Sequence, residues 1–192
     1  MIFDKDNPAF GEMQNVKRRF FALRNGVIAD TLRRGGCPYR IIFGLTLPQL
    51  DEVASVTAHS AEVAQMIWDN DSTRESRLLA PMLYPCEEMT VERARVWLSE
   101  CRSVEDVDVL CHRLLRREPW ASSLVDELST AEDDMLRYAA VRLAFNNVYQ
   151  RPEQALRVAR AEAQRACALT QRVATMLCDE AEYVLNPEGL GG

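Results

Sequence analysis

Residues 68–85 read WDNDSTRESRLLAPMLYP, and the fold class follows from this stretch. Ser72 and Glu75 have the spacing of a capping box, in which a serine hydroxyl takes a first-turn amide proton and a glutamate reaches back to the serine amide, so a helix is expected from Thr73. Leu78, Leu79, Met82 and Leu83 return at three- and four-residue intervals, Arg74 and Arg77 lie about one turn apart, and Pro85 cannot continue the helix. The expected element is a helix with one apolar face flanked by two guanidiniums.

The same periodicity continues on both sides, and no run of alternating β-branched residues extends beyond a few positions. Asn15 to Arg34 reads as a helical region weakened or kinked at Gly26 and ended by Gly35 and Gly36. Thr46 or Leu47 caps a helix with Pro48 in its first turn, and His59 or Ser60 opens another that ends near Asn70, with Val63, Ile67 and Trp68 facing inward. Thr90 caps VERARVWLSEC, whose apolar side includes Val96 and Trp97. Ser103 with Asp106, and Thr130 with Asp133, open two later helices, and Pro119 starts or precedes a third.

Pro85, Pro119 and Pro152 each follow one helix and precede another, at separations of 34 and 33 residues. Helical hairpins repeating at that scale describe an all-α fold, an α-α superhelix of HEAT-like repeats, with an irregular bundle as the alternative. A single domain over residues 1–192 is expected: an N-terminal helical region at 1–38, core repeats at 39–150, capping helices at 151–185 and a frayed tail at 186–192.

Composition excludes several function classes. A hydrophobic fraction of 47% with 27% charged residues is that of a globular chain rather than a disordered one. No apolar run approaches the ~20 residues that cross a bilayer, and the first ten residues carry no charged-then-apolar secretion signal, so a cytoplasmic location without membrane partners is expected. The six cysteines form no CxxC pair and read as free, mostly buried thiols. Cys111 and His112 are adjacent, which points them about 100° apart on a helix, so no metal is expected. No glycine-rich phosphate loop is present, and no cofactor is expected.

The net charge of −6 argues against coating nucleic acid by bulk attraction. Its distribution is uneven: residues 1–45 carry eight Lys or Arg against four Asp or Glu, whereas residues 46–150 carry ten against nineteen. Of the 23 basic residues only Lys5 and Lys17 are lysines, and arginine suits bidentate phosphate contacts.

Five stretches taken together carry a resemblance: FGLTLPQLDEVA from Phe43, AEVAQMIWDNDSTRESRLLAPMLYP, TVERARVWLSE, SVEDVDVLCHRLL and MLRYAAVRLAF. In this order, over Tyr39 to Phe145, they resemble the DNA alkylation repair family of HEAT-like repeat proteins, alkylpurine DNA glycosylases of the AlkD type. The resemblance implies a solenoid curved round duplex DNA, a groove that holds an alkylated base, a carboxylate that assists its loss, and no metal. It places the acid at Asp108 and a DNA-contacting arginine at Arg137; Arg74, Arg77 and Arg113 complete the expected DNA-facing set. Loss of a cationic alkylpurine builds oxocarbenium character on the sugar, which a carboxylate can stabilise, and a guanidinium can hold a phosphate. Family members usually carry an aromatic residue one turn before the acid and a base in the helix after Pro48, where this chain has Val104 and Asp51. The alternative is therefore a non-catalytic HEAT-like scaffold that binds DNA or a protein partner.

Overall fold

A computed structural model describes residues 7–187, and most of its helices begin where a side chain can take the amide protons that a first turn leaves open. Asn7 caps α1 (Pro8–Ala22), Asn25 caps α2 (Gly26–Arg34), Thr46 with Gln49 forms a box on α3 (Leu47–Ser55), and Ser60 caps α4 (Ala61–Trp68). α5 (Arg74–Leu83) leads through a 3-10 turn at Cys86–Glu88. Thr90 caps α6 (Val91–Ser99), and Ser103 with Asp106 forms a second box on α7 (Val104–Arg113). A 3-10 turn at Leu115–Arg117 precedes α8 (Ala121–Leu128), Asp133 caps α9 (Asp134–Asn146), and α10 (Pro152–Ala163) and α11 (Gln171–Leu185) follow. Among the described residues the fold is all-helical, with one isolated parallel bridge between Ile41 and Thr73. None of these helices is long and apolar enough to cross a membrane.

The helices fall into two compact units, one up to Met89 and one from Thr90. In the first, α3 and α4 pack on α5, and α1 packs on α4. Nine of the ten residues of α5 are buried, so it is a central helix rather than the half-exposed one expected. Its polar side chains are accommodated by internal partners. The helix begins at Arg74, one residue later than expected, because the backbone at Ser72–Arg74 bonds to Ile41: the Ile41 amide donates to Ser72, and the Arg74 amide to Ile41. Glu75 then stands second in the helix instead of third, and it binds a different segment. Its two oxygens accept the amides of Phe43, Gly44 and Leu45 at 3.0, 2.9 and 3.3 Å and the Arg74 guanidinium at 3.0 Å.

In the second unit α9 is the hub, touching α6, α7, α8, α10 and α11. Side-chain contacts recur at about one repeat length: Arg95 with Glu127, Ser122 with Gln154, Asp126 with Arg157 and His112 with Asn146. The second helices of successive pairs also touch in order, α7 on α9 and α9 on α11. Both features are compatible with stacked helical repeats.

Some expectations are corrected. The region from Asn15 to Arg34 is two helices, and α1 already starts at Pro8, because Asn7 and Asn25 each cap a new start. Thr130 does not open α9; its hydroxyl donates to the Glu127 carbonyl at the end of α8, which leaves the cap to Asp133. Val96 is 50% exposed, while Ala94, Trp97 and Leu98 form the inward side of α6. The cysteines are free, but only Cys111 is fully buried. The expected tail lies outside the described residues from position 188 onward.

Candidate functional site

Asp108 is the fifth residue of α7, beyond the first turn where a helix N-terminus strongly favours an acid. The capping box fixes the entry to that helix: Asp106 accepts the amides of Arg102 and Ser103, both at 2.9 Å, and is fully buried. Val107, Leu110 and Cys111 bury the inner face of α7, and Asp108 lies at its edge with its side chain 34% exposed.

Two residues of α9 converge on one oxygen of this carboxylate. The Tyr138 hydroxyl donates to Asp108 Oδ1 at 3.0 Å, and Arg142 Nε lies 2.6 Å from the same oxygen in an ion pair rather than an aligned hydrogen bond. Tyr138 and Arg142 are four residues apart and so share a helix face. The Arg142 guanidinium also lies 5.8 Å from the Phe145 ring centroid. Oδ2 of Asp108 accepts no hydrogen bond from the described residues. The group thus has one anchored oxygen and one available oxygen.

Its electrostatics balance opposing effects. Burial pushes the Asp108 carboxyl above the ordinary aspartate value, while the Arg142 charge, the Tyr138 hydrogen bond and the close Arg142 contact pull it down. Burial, together with the adjacent Asp108 charge, pushes the Tyr138 hydroxyl well up, so it stays protonated and remains a donor. Burial likewise holds the Cys111 thiol protonated, which removes it as a nucleophile.

A family model described as DNA alkylation repair enzyme matches residues 16–177. The chain belongs to the DNA alkylation repair enzyme family. The match contains α7 and α9 entire, and with them Asp108, Tyr138 and Arg142. No curated protein and no solved structure matches the chain. Membership in the DNA alkylation repair family supports a role in DNA repair.

The four arginines expected to face DNA, Arg137, Arg74, Arg77 and Arg113, have different surroundings. Arg137 is 6% exposed; its guanidinium pairs with Glu162 at 3.2 Å and with Asp134, and donates to the carbonyls of Ala131 and Glu132 at 2.9 and 2.7 Å. Glu162 also accepts the Thr170 hydroxyl at 2.7 Å, which ties α9 to α10 and to the segment before α11. Arg74 is buried against Glu75 and the Leu45 carbonyl, and Arg77 lies 4.2 Å from the ring centroid of fully buried Trp68. Both belong to the first unit. Arg113 is half-buried in the last turn of α7. Asp108, Tyr138 and Arg142 form one cluster, and Arg137 is not part of it.

Helical phase explains the separation of the two α9 arginines. Five residues at about 100° each put Arg142 roughly 140° round the helix from Arg137, so one faces α7 and the other α10. The proline spacing is the sequence signal that points to Tyr138 and Arg142. They follow Asp108 by 30 and 34 residues, close to the 33- and 34-residue spacing of the prolines.

Proposed function

We propose that this protein binds alkylated DNA and hydrolyses the N-glycosidic bond of a cationic alkylpurine, with Asp108 as its carboxylate. The observation that carries the proposal is the half-exposed Asp108, held through one oxygen by Tyr138 and Arg142 with the other oxygen available. An N3- or N7-alkylated purine already bears positive charge. When its C1′–N bond breaks, the electron pair leaves with the base, which departs neutral and needs no general acid. The charge then moves to the sugar, and a fixed carboxylate stabilises it more than it stabilises the ground state. Water adds to C1′ and gives its proton to the carboxylate or to solvent.

In this proposal Tyr138 is a positioning residue, and Arg142, not Arg137, is the arginine beside the acid. Arg142 limits the cost of a partly buried carboxylate and keeps a 27% exposed side chain at the site, where it can meet the phosphate flanking the lesion. Arg137 is assigned to the internal Glu162 pair, where it holds α9 on α10. The HEAT-like superhelix is the architecture proposed to present this face to a duplex.

The test is release of 3- or 7-alkylpurine from alkylated duplex DNA by purified protein. Release should occur and should fall by about 100-fold or more in Asp108→Asn, the scale of losing an electrostatic stabiliser of a transition state. Equal release by Asp108→Asn would remove the carboxylate from the reaction. No release at all, with DNA binding retained, would leave a non-catalytic scaffold.

A further inference from the structure

A concave site lies away from Asp108 in the second unit, where α8, the end of α9 and the start of α10 meet. Its volume is about 170 Å³. Pockets that enclose drug-sized ligands run from roughly 300 to 1,000 Å³, so this cavity holds a small group and not a nucleoside.

Arg116 and Arg151 both line it, approaching from the 3-10 turn after α7 and from the residue that precedes α10. Both are exposed, and among the described residues neither guanidinium has a hydrogen-bond or ion-pair partner. Arg95, Arg137, Arg142, Arg157, Arg160 and Arg165 of the same unit are, by contrast, paired with acids. Gln150 adds an exposed amide to the rim. The wall beneath is fixed: Gln154 donates to the Ser122 carbonyl at 2.8 Å and to Asp126 at 2.9 Å, and accepts the Ser122 hydroxyl at 2.9 Å. Glu118 is the one acid of the lining and is 9% exposed. Two guanidiniums against one carboxylate leave a single positive charge at the lining.

We infer that this cavity binds one singly charged phosphate group, with Arg116 and Arg151 as its two cationic ligands. Paired guanidiniums give forked donors that match phosphate oxygens, and an anion between them relieves their mutual repulsion. The buried Glu118 favours a monoanion over a dianion at the same place. Two sources present that chemistry, a phosphodiester of a nucleic-acid strand and free phosphate. The strand source rests on the DNA-binding proposal above; the phosphate site itself does not.

The experiment uses the full chain, with Arg116→Gln/Arg151→Gln as the test pair, Arg116→Lys/Arg151→Lys as a second pair that keeps the charge, and Arg172→Gln as an exposed control outside the cavity. Inorganic phosphate near neutral pH is titrated while the arginine Nε–H and glutamine side-chain NMR signals are followed. Signals of Arg116, Arg151 and Gln150 should shift saturably, and binding should weaken about tenfold in the Gln pair while Arg172→Gln leaves it unchanged. The Lys pair should retain part of the affinity.

In a parallel series, duplex binding is measured against salt. A slope less steep by about 0.9 in the Gln pair identifies a backbone phosphate as occupant. An unchanged slope with phosphate binding lost identifies free phosphate. Absence of saturable shifts together with an unchanged slope overturns the inference, as does an equal response from Arg172. Base release by Asp108→Asn reads the catalytic proposal alone, so failure of either can be told from failure of the other.

Discussion

Tyr138 and Asp108, thirty residues apart in the chain, are joined by a 3.0 Å hydrogen bond from the phenol to Oδ1. The bond crosses from α9 to α7, and Arg142 approaches the same oxygen one turn further along α9. This relationship makes the acid's ionisation a property of two helices.

Its first consequence is a pH profile. Burial raises the Asp108 carboxyl above the ordinary value of 3.8, while Arg142 and Tyr138 oppose that rise. Base release that needs the ionised carboxylate therefore falls, as pH drops, at a higher pH than for an ordinary aspartate. Removing either opposing group should move this acid limb further up, in Arg142→Ala and in Tyr138→Phe. A carboxyl carbon NMR titration of Asp108 checks the direction independently of turnover, and a downward move in either variant would contradict it. The sign for stability is the reverse of the usual carboxylate case. With its folded pKa raised, Asp108 lets the folded state bind more proton, so stability declines as pH rises from its unfolded to its folded pKa.

The two arginines of α9 should separate cleanly. Arg137→Ala removes the buried cation of Glu162 and leaves it only the more exposed Arg165 at 3.4 Å, a loss of about 3 kcal/mol, the low end for broken buried pairs. It should lower the urea midpoint sharply. Arg142→Ala, at a half-exposed pair, should cost less than about 1 kcal/mol but lower base release. A stable Arg137→Ala protein with selectively lost DNA binding would reverse the roles of the two arginines.

Glu75 should be the most sensitive single carboxylate of the first unit. Its oxygens accept three backbone amides and a buried guanidinium, so Glu75→Ala strands several buried donors. A loss of about 3–5 kcal/mol in urea unfolding is expected. A change below about 1 kcal/mol would show that water or neighbouring groups replace the carboxylate.

Gly44 is the partner of that arrangement. Its φ is +81°, and a Cβ there would stand 2.3 Å from the Asn25 carbonyl oxygen and 2.8 Å from the Ala29 amide. Both obstacles are backbone, which cannot swing aside. Gly44→Ala should destabilise by more than about 2 kcal/mol, and a thermal melt unchanged by the substitution would refute the close approach.

What the sequence by itself determined were the local decisions. Three- and four-residue periodicity made the fold helical, and side chains such as Ser60, Thr90 and Ser103 set helix starts. The family followed from several weak patterns in order. The choice of Asp108 as the candidate acid came from the same patterns, because a motif carries its neighbours with it.

Only tertiary structure decided which polar side chains meet. Glu75 has the local spacing of a capping residue, yet Ile41 claims the backbone before it and the loop at Phe43–Leu45 claims its oxygens. Arg137 and Arg142 look equivalent along the chain, and the rotation of α9 between α7 and α10 assigns one to Glu162 and the other to Asp108. In WDNDSTRESRLLAPMLYP the leucines announce a helix, but whether its arginines face solvent depends on helices packed around it. Periodicity records that a face is apolar, whereas burial of the remaining faces depends on the partners that fold against them.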